Sequence, residues 1–475
     1  MHQSQTTRAH RLTVAILAAS GMLTSLQFTL FVPSLGIMAE TLEISANDAT
    51  WIVTITLLTG TVATPVLTRM ADMYGRRRLL LLSIGLLVSG ALIAACGMTF
   101  AWVLVGRALQ GFASSIVPIG MSLLREILPP QRAGSAVGLM SGTLGVGSAA
   151  GLLLSGALSE SFGVAALFWF TVCAGLLAGT CMFFIVHETN QYAGGRFDFI
   201  GAMLLAVVLA SALLMISKGG AWGWSSTAVL SLAVLGLLAF LVWVPHQLRH
   251  PQAVIDLRTA FRRPVFQTNL ATFFAALGMF GNHLLTVHEV QAPQGIGAGL
   301  ALGPAVAGLT MVPAALAMAS LSPVAGMLLN RFEGRMVLAL GSAVMALAFI
   351  FRFFVRDSLT GIIVGATLVG VGTALSFAAM PALIMSYVPR AQAAAANGIN
   401  SLLRTLSGAV ASAVFGLVVS TFAISSAGTE HIGEVGLSIA FAALASSCAL
   451  AALLALLLPA NSHVSEPKPL AQVKA

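Results

Sequence analysis

Long apolar runs broken by short polar links repeat along the whole of this 475-residue chain. A helix needs roughly 20 apolar residues to cross the hydrocarbon core of a bilayer. By that measure the pattern predicts fourteen spanning helices, near residues 12–36, 51–70, 79–98, 101–123, 133–158, 165–186, 199–217, 227–245, 265–290, 301–329, 336–354, 360–386, 391–422 and 436–458. The ninth to thirteenth runs are long, which tilt or extension beyond the lipid absorbs. The polar start MHQSQTTRAHR is followed by no small-residue cleavage site, so the first run reads as a permanent span rather than a signal peptide. The closing stretch PANSHVSEPKPLAQVKA is polar and is expected to be a disordered tail. The expected fold class is an all-α polytopic membrane protein.

Composition narrows the function classes. Hydrophobic residues make up 58% of the chain and charged ones 8%, where a soluble domain is about a quarter charged. The surplus of 23 Lys and Arg over 15 acids does not point to nucleic acid, because these residues sit between apolar runs. They set the orientation instead. With the N-terminus inside, 18 of the 23 fall on the cytoplasmic side, among them Arg69, Arg76, Arg77, Arg78, Arg132, Arg390, Lys468 and Lys474. Lys218, Arg352 and Arg356 fall outside, and Arg107 and Arg404 within spans. Both termini are thus expected in the cytoplasm. Cys96, Cys173, Cys181 and Cys448 all lie in apolar runs and read as packing residues. There is no GxxxxGK[ST] stretch for a nucleotide, and no cofactor or metal is expected.

The chain also repeats itself. PVLTRMADMYGRR from Pro65 aligns with PVAGMLLNRFEGR from Pro323, and PPQRAGSAVGLMS from Pro129 with PRAQAAAANGINS from Pro389, at offsets of 258 and 260 residues. Such repeats mark transporters whose binding site lies between two halves. The expected organisation is a tail at 1–11, a six-helix bundle over 12–190, two inserted helices over 191–250, a second six-helix bundle over 251–458 and a tail over 459–475.

Three motifs carry a family resemblance. TRMADMYGRRR, between the second and third spans, resembles the cytoplasmic loop motif of the major facilitator superfamily, with its acid at Asp72, its glycine at Gly75 and its basic pair at Arg76 and Arg77. Thr68 and Met73 depart from that pattern. Gly75 permits a tight turn, and the Asp72 carboxylate can hold a helix N-terminus or an arginine across the interface of the halves. The resemblance implies a conformational latch. VGRALQG resembles the fourth-span motif, which implies a proton-coupling role for Arg107; Arg107, Gln110, Ser114 and Pro118 share one helix face. GSAAGLLLSGAL keeps Gly147, Gly151 and Gly156 of an exporter packing motif but has Leu152 where the family has proline. The resemblance, strongest to the fourteen-span drug:proton antiporter subgroup, covers most of the chain. It implies the major facilitator fold, with spans seven and eight as a peripheral insertion.

Substrate and protons need polar groups in the spans. Ser20, Thr24, Gln27 and Ser34 form a stripe on span one with Phe31 in register, and Thr54, Thr61 and Thr68 recur on span two. Such stripes either face a cavity or make interhelical hydrogen bonds. Thr24 stands where the family carries an aspartate. Of the fifteen acids, Glu289 alone is a candidate for the interior, on a face with Asn282 and Thr286 and with His283 close by. It is either a titrating site or an interfacial residue. Arg404 lies inside span thirteen near Asn397 and Asn400, and with Arg107 leaves the interior net positive if Glu289 is outside. A positive cavity favours neutral or anionic lipophiles.

The expected function is a secondary active exporter of lipophilic small molecules, of the multidrug efflux type. It would use proton antiport and alternating access as a monomer in the bacterial inner membrane. The alternative is a narrow exporter of a metabolite or lipid, without proton coupling. A membrane enzyme is disfavoured, because no nucleophile, metal cluster or acid pair shares one depth.

Overall fold

The computed structural model describes residues 2–31, 34–188, 194–294, 299–356, 358–389, 392–426 and 429–460. Fourteen helices among them are long and apolar enough to cross a membrane, and each overlaps one of the predicted runs. They are α1 (His2–Thr29), α2 (Ala46–Tyr74), α3 (Arg76–Gly97), α4 (Phe100–Ile127), α5 (Pro130–Phe162), α6 (Ala165–Ile185) and α7 (Phe199–Trp222). α8 (Thr227–Arg249), α9 (Arg263–Gln291), α10 (Pro304–Arg331), α11 (Gly334–Phe354), α12 (Leu359–Tyr387), α13 (Ala393–Thr421) and α14 (Glu434–Leu456) complete the set. Arg390, Lys468, Lys474 and nearly all of the tail expected from 459 lie outside the described residues.

One element departs from the helical pattern. An antiparallel hairpin, β1 (Ala423–Ser426) with β2 (Thr429–Ile432), links α13 to α14. The link is too short and polar for a helix, and its β-branched Ile424, Thr429 and Ile432 suit a pleated strand.

Capping fixes the helix starts where the chain turns. Ser45, Ser226 and Ser358 accept backbone N–H bonds at the N-termini of α2, α8 and α12, and Asp198 does so for α7. Gly75, at φ +113°, makes the turn from α2 into α3 in a conformation that disfavours any side chain.

In the first half, α1 packs on α5 and α6, α3 on α4 and α6, and α2 on α4. In the second, α11 packs on α12 and α14, α9 on α13 and α14, and α10 on α12. The outer surface carries exposed apolar residues such as Leu177, Phe184, Met203 and Phe354, as lipid requires. α7 and α8 pair with each other, but α7 also touches α2 and α13, one from each half. Lys218 of α7 is buried: its Nζ donates to Thr50 Oγ1 at 2.6 Å and sits 4.5 Å from the Trp51 ring centroid. α7 therefore docks on the bundle through α2 and α13, while α8 packs mainly on α7 among the spanning helices and stays at the periphery.

The halves meet along α5–α10 and α2–α13. Gly134, Gly138, Gly142 and Gly145 of α5 face Asn330, Gly326, Ser322 and Met318 of α10 so closely that a methyl at Gly138 would stand 2.7 Å from the Ser322 carbonyl. Ser141 donates to the Phe377 carbonyl at 2.8 Å, and Gly398 abuts Thr68. These contacts all lie between mid-helix and the end marked by Arg69, Arg76, Arg132 and Arg331, the basic end. Beyond them, His283 and Ser412 are exposed, and no atom approaches the Gly416 Cβ position.

Candidate functional site

At the basic end Asp72 is completely buried. Its Oδ1 pairs with Arg76 Nη2 at 3.0 Å, and its Oδ2 accepts the Ala395 N–H at 2.9 Å, in the first turn of α13. The carboxylate therefore holds both an arginine and the positive end of a helix in the other half. Arg76 also pairs with Glu126 of α4. Glu188 accepts from the N–H groups of Arg77 at 3.2 Å and Arg78 at 3.3 Å, while Arg77 Nη2 donates to Phe183 O at 2.7 Å. Asp72 crosses between the halves, whereas Arg76 and Arg77 tie α3 to α4 and α6 within the first half. Glu126 and Glu188 went unnoticed in the sequence because each looks like an ordinary loop acid.

Gly147 and Gly151 press against α1, at Met22–Leu26 and Leu26–Leu30. Gly156 follows in the same helix, but its surroundings and those of Leu152 lie outside the described side chains. α5 thus has one glycine face for α1 and a second, from Gly134 to Gly145, for α10. The sequence reading missed the second, although its spacing of four, four and three residues was the available signal.

Arg107 lies in the first part of α4 and is completely buried. Its Nε donates to Ile52 O at 3.0 Å. Its Nη1 donates to Gln110 Oε1 at 2.6 Å and Gln27 Oε1 at 3.1 Å. The guanidinium carbon stands 4.2 Å from the Phe31 ring centroid. Arg107 Nη2 and Gln110 Nε2 have no partner among the described residues. α4 breaks into a 3₁₀ turn at Phe112–Ser115 directly after this cluster, a common place for a hinge. Thr24 donates to Ser20 O at 2.9 Å and Ala113 O at 3.4 Å, so a neutral hydroxyl occupies the acid's position. Thr54 and Ser114 do not join the cluster; each donates to a carbonyl of its own helix.

In the second half Glu289 lies two residues from the end of α9, yet only 1% of it is exposed. It sits near the interface in height but is enclosed by protein. Its partner is Arg352 of α11, which also donates to Asn282 Oδ1 at 2.5 Å and faces Phe441 at 5.2 Å. Arg352, counted on the outer side by its charge, is enclosed by protein there, 1% exposed. Its stem fills the space above Gly365, where a methyl group would collide with it. At the 258-residue offset Gly365 corresponds to Arg107 and Glu289 to Phe31. That correspondence was the signal that could have placed Arg352. His283 does not join Glu289: it is exposed, with its ring 6.4 Å from that of Phe280. The Thr286 hydroxyl is buried without a partner.

On α13, Asn400 Nδ2 donates to Thr272 Oγ1 at 2.7 Å and Asn269 Oδ1 at 3.1 Å, both on α9. Arg404 is 7% exposed, donates to Ser401 Oγ at 3.3 Å and lies 5.2 Å from the Phe377 ring. Arg404 Nη1 and both side-chain polar atoms of Asn397 are buried and have no partner among the described residues.

The profile of the Major Facilitator Superfamily matches residues 17–196, 197–412 and 290–474. Multidrug resistance protein Stp of Mycobacterium tuberculosis is 27% identical over 363 residues, 74% of this chain and 65% of that protein, so the match spans a little under two thirds of the relative. The tetracenomycin C resistance and export protein of Streptomyces glaucescens is 25% identical over 415 residues, 86% of this chain and 76% of that one. The crystal structure of the human organic anion transporter MFSD10 (TETRAN) superposes with a TM-score of 0.65 at 16% identity, over 94% of this chain and 99% of that one, a likeness of fold. With helices, internal repeat and profile in agreement, the chain belongs to the Major Facilitator Superfamily and is a multi-pass membrane protein.

Proposed function

We propose that this chain is a secondary transporter that exports lipophilic small molecules, of the fourteen-span multidrug type, driven by proton antiport in a bacterial inner membrane. The basic end and both termini face the cytoplasm, and the two six-helix bundles rock against each other as a monomer. The observation that carries this reading is the Asp72 bond to the Ala395 N–H, joined by the α5–α10 glycine seam, both toward one end. A carboxylate buried across a mobile interface holds one conformation and must let go for the other. Arg107, Glu289 and His283 are the groups through which proton movement would be felt. The names of the two bacterial relatives fit export of drugs or antibiotics.

A narrower exporter without proton coupling is the second reading. It is favoured by Thr24, whose hydroxyl is spent on carbonyls where the resembling family has a titratable acid.

Energised inside-out vesicles challenged with cationic, neutral and anionic lipophiles test both. Collapse of the pH gradient by one class, only when the protein is present, is the expected result. Substrate movement without proton release would leave the second reading standing.

A further inference from the structure

Arg107, Arg352 and Arg404 are three guanidinium groups buried in the helices, and they are not equivalent. Arg352 has Glu289. Arg107 and Arg404 have no carboxylate partner among the described residues; their contacts are amides, carbonyls, a hydroxyl and aromatic rings. The buried acids that could offset them are already taken, with Asp72 and Glu126 on Arg76 and Glu289 on Arg352. Glu289 therefore lies inside the protein without changing the interior charge, because Arg352 is enclosed with it.

We infer that the transported molecule is a lipophilic organic anion, met by Arg107 in the first half and by Arg404 in the second; the inference rests on the export reading above.

Three physical arguments support it. An uncompensated cation inside a membrane protein is costly and is retained where a path or ligand uses it. The low dielectric of the site extends the reach of both charges, so an anion is attracted and a quaternary cation repelled. Around the two arginines, the buried polar atoms without a partner among the described residues are Arg107 Nη2, Gln110 Nε2, Arg404 Nη1 and Asn397 Nδ2, which are donors, and Asn397 Oδ1, an acceptor. The donors call for acceptors, which a carboxylate supplies and an ammonium group lacks.

The two arginines lie at different heights. Arg107 is seven residues from the start of α4, and Arg404 eleven residues from the basic start of α13. Helix rise places them about 10 Å from one end and about 17 Å from the other. They form two stations along a path rather than one clamp. Phe31 and Phe377 lie against them and are themselves buried, so an aromatic body would meet these rings only where the helices part. In a cell with a negative interior, the membrane potential itself favours the exit of an anion. That suits a first span in which Thr24 replaces the family's acid.

The test uses the purified full chain and three probes with one aromatic body: a carboxylate, its methyl ester and a trimethylammonium analogue. Binding is read by competition and transport in proteoliposomes. The wild type is expected to bind the carboxylate about tenfold or more tighter than either analogue. Arg404→Gln should weaken carboxylate binding about tenfold and narrow its advantage over the ester, and Arg404→Lys should keep most of it. Equal or tighter binding of the ester or the ammonium ion overturns the inference, as does failure of all three to bind. If Arg404→Gln does not fold, the wild-type ranking and the lysine variant decide. A carboxylate that binds with this preference but is not moved supports the inference while removing the export reading.

Discussion

At the repeat-related positions Arg107 and Gly365 the two halves surround a buried guanidinium in opposite ways. In the first, Arg107 is held by the amide oxygens of Gln27 and Gln110, the Ile52 carbonyl and the Phe31 ring. In the second, Arg352 reaches the space above Gly365, the counterpart of Arg107, and meets the Glu289 carboxylate where the first half has Phe31. A neutral shell orients a cation but leaves its charge available. A carboxylate cancels that charge and turns the arginine into a structural tie. The internal repeat has thus kept a guanidinium in both halves while giving only one of them a counter-ion.

Removing that counter-ion has the largest expected effect. Glu289→Gln preserves shape but strands the Arg352 charge, a change that costs about 3–5 kcal/mol for a buried pair. Thermal unfolding in detergent should show a large loss, and Glu289→Gln with Arg352→Gln should recover most of it. A single variant as stable as the wild type would mean the pair contributes nothing to the fold.

The reverse change sharpens the comparison. Gln27 Oε1 already accepts from Arg107 at 3.1 Å, so Gln27→Glu introduces a carboxylate at the same place with almost no change of volume. The first half then resembles the second, and Arg107 becomes a closed pair. Affinity for a carboxylate probe should fall about tenfold, or roughly 1.4 kcal/mol, with stability unchanged or raised. Unaltered selectivity would separate Arg107 from substrate recognition.

The sequence made some of this visible and concealed the rest for identifiable reasons. Each apolar run became a helix because bilayer thickness leaves little freedom in span length. Asp72 was legible because it lies in a recognisable loop motif; the helix N-terminus it holds is across the interface, whereas the arginine, Arg76, is in its own half. Arg352 was not, since an arginine two residues from the end of a predicted run counts equally well as a loop charge. Only the pairing with Glu289, between helices far apart in sequence, decides its side. Lys218 misled in the same way: its contact with Thr50 and Trp51 depends on how α7 docks, which periodicity does not encode.

The latch carries the comparison to the basic end, where a carboxylate serves both halves. Asp72→Asn retains an acceptor for the Ala395 N–H but loses the charge that faces Arg76 and the first turn of α13. The contribution at stake is about 1 kcal/mol, enough to shift the populations of the two conformations roughly fivefold. Distances between spin labels on α5 and α10 near the basic end should broaden toward the separated state. Transport should fall while membrane insertion stays normal. Loss of folded protein would instead make Asp72 a structural anchor.

The smallest expected effect lies where the inserted pair joins the same end. Asp198 accepts from the Gly201 N–H at 2.8 Å and Gln247 Nε2 at 3.0 Å, and meets His246 Nε2 at 2.9 Å. Burial pulls its carboxyl upward, but the bonds from His246, Gly201 and Gln247 outweigh burial and hold it below the ordinary value of 3.8. A lowered carboxyl pKa contributes stability that is complete above the unfolded value and is lost as pH falls through the folded one. Docking of α7 on α8 should therefore be constant down to about pH 4 and weaken below it, by about 1 kcal/mol. Trp243 Nε1, which donates to Gly201 O at 3.1 Å, reports on this contact. In a protein retaining Trp243 as its sole tryptophan, fluorescence should change between pH 4 and 2 and Asp198→Asn should flatten the response. A response that persists in the variant would assign the acid sensitivity to another carboxylate.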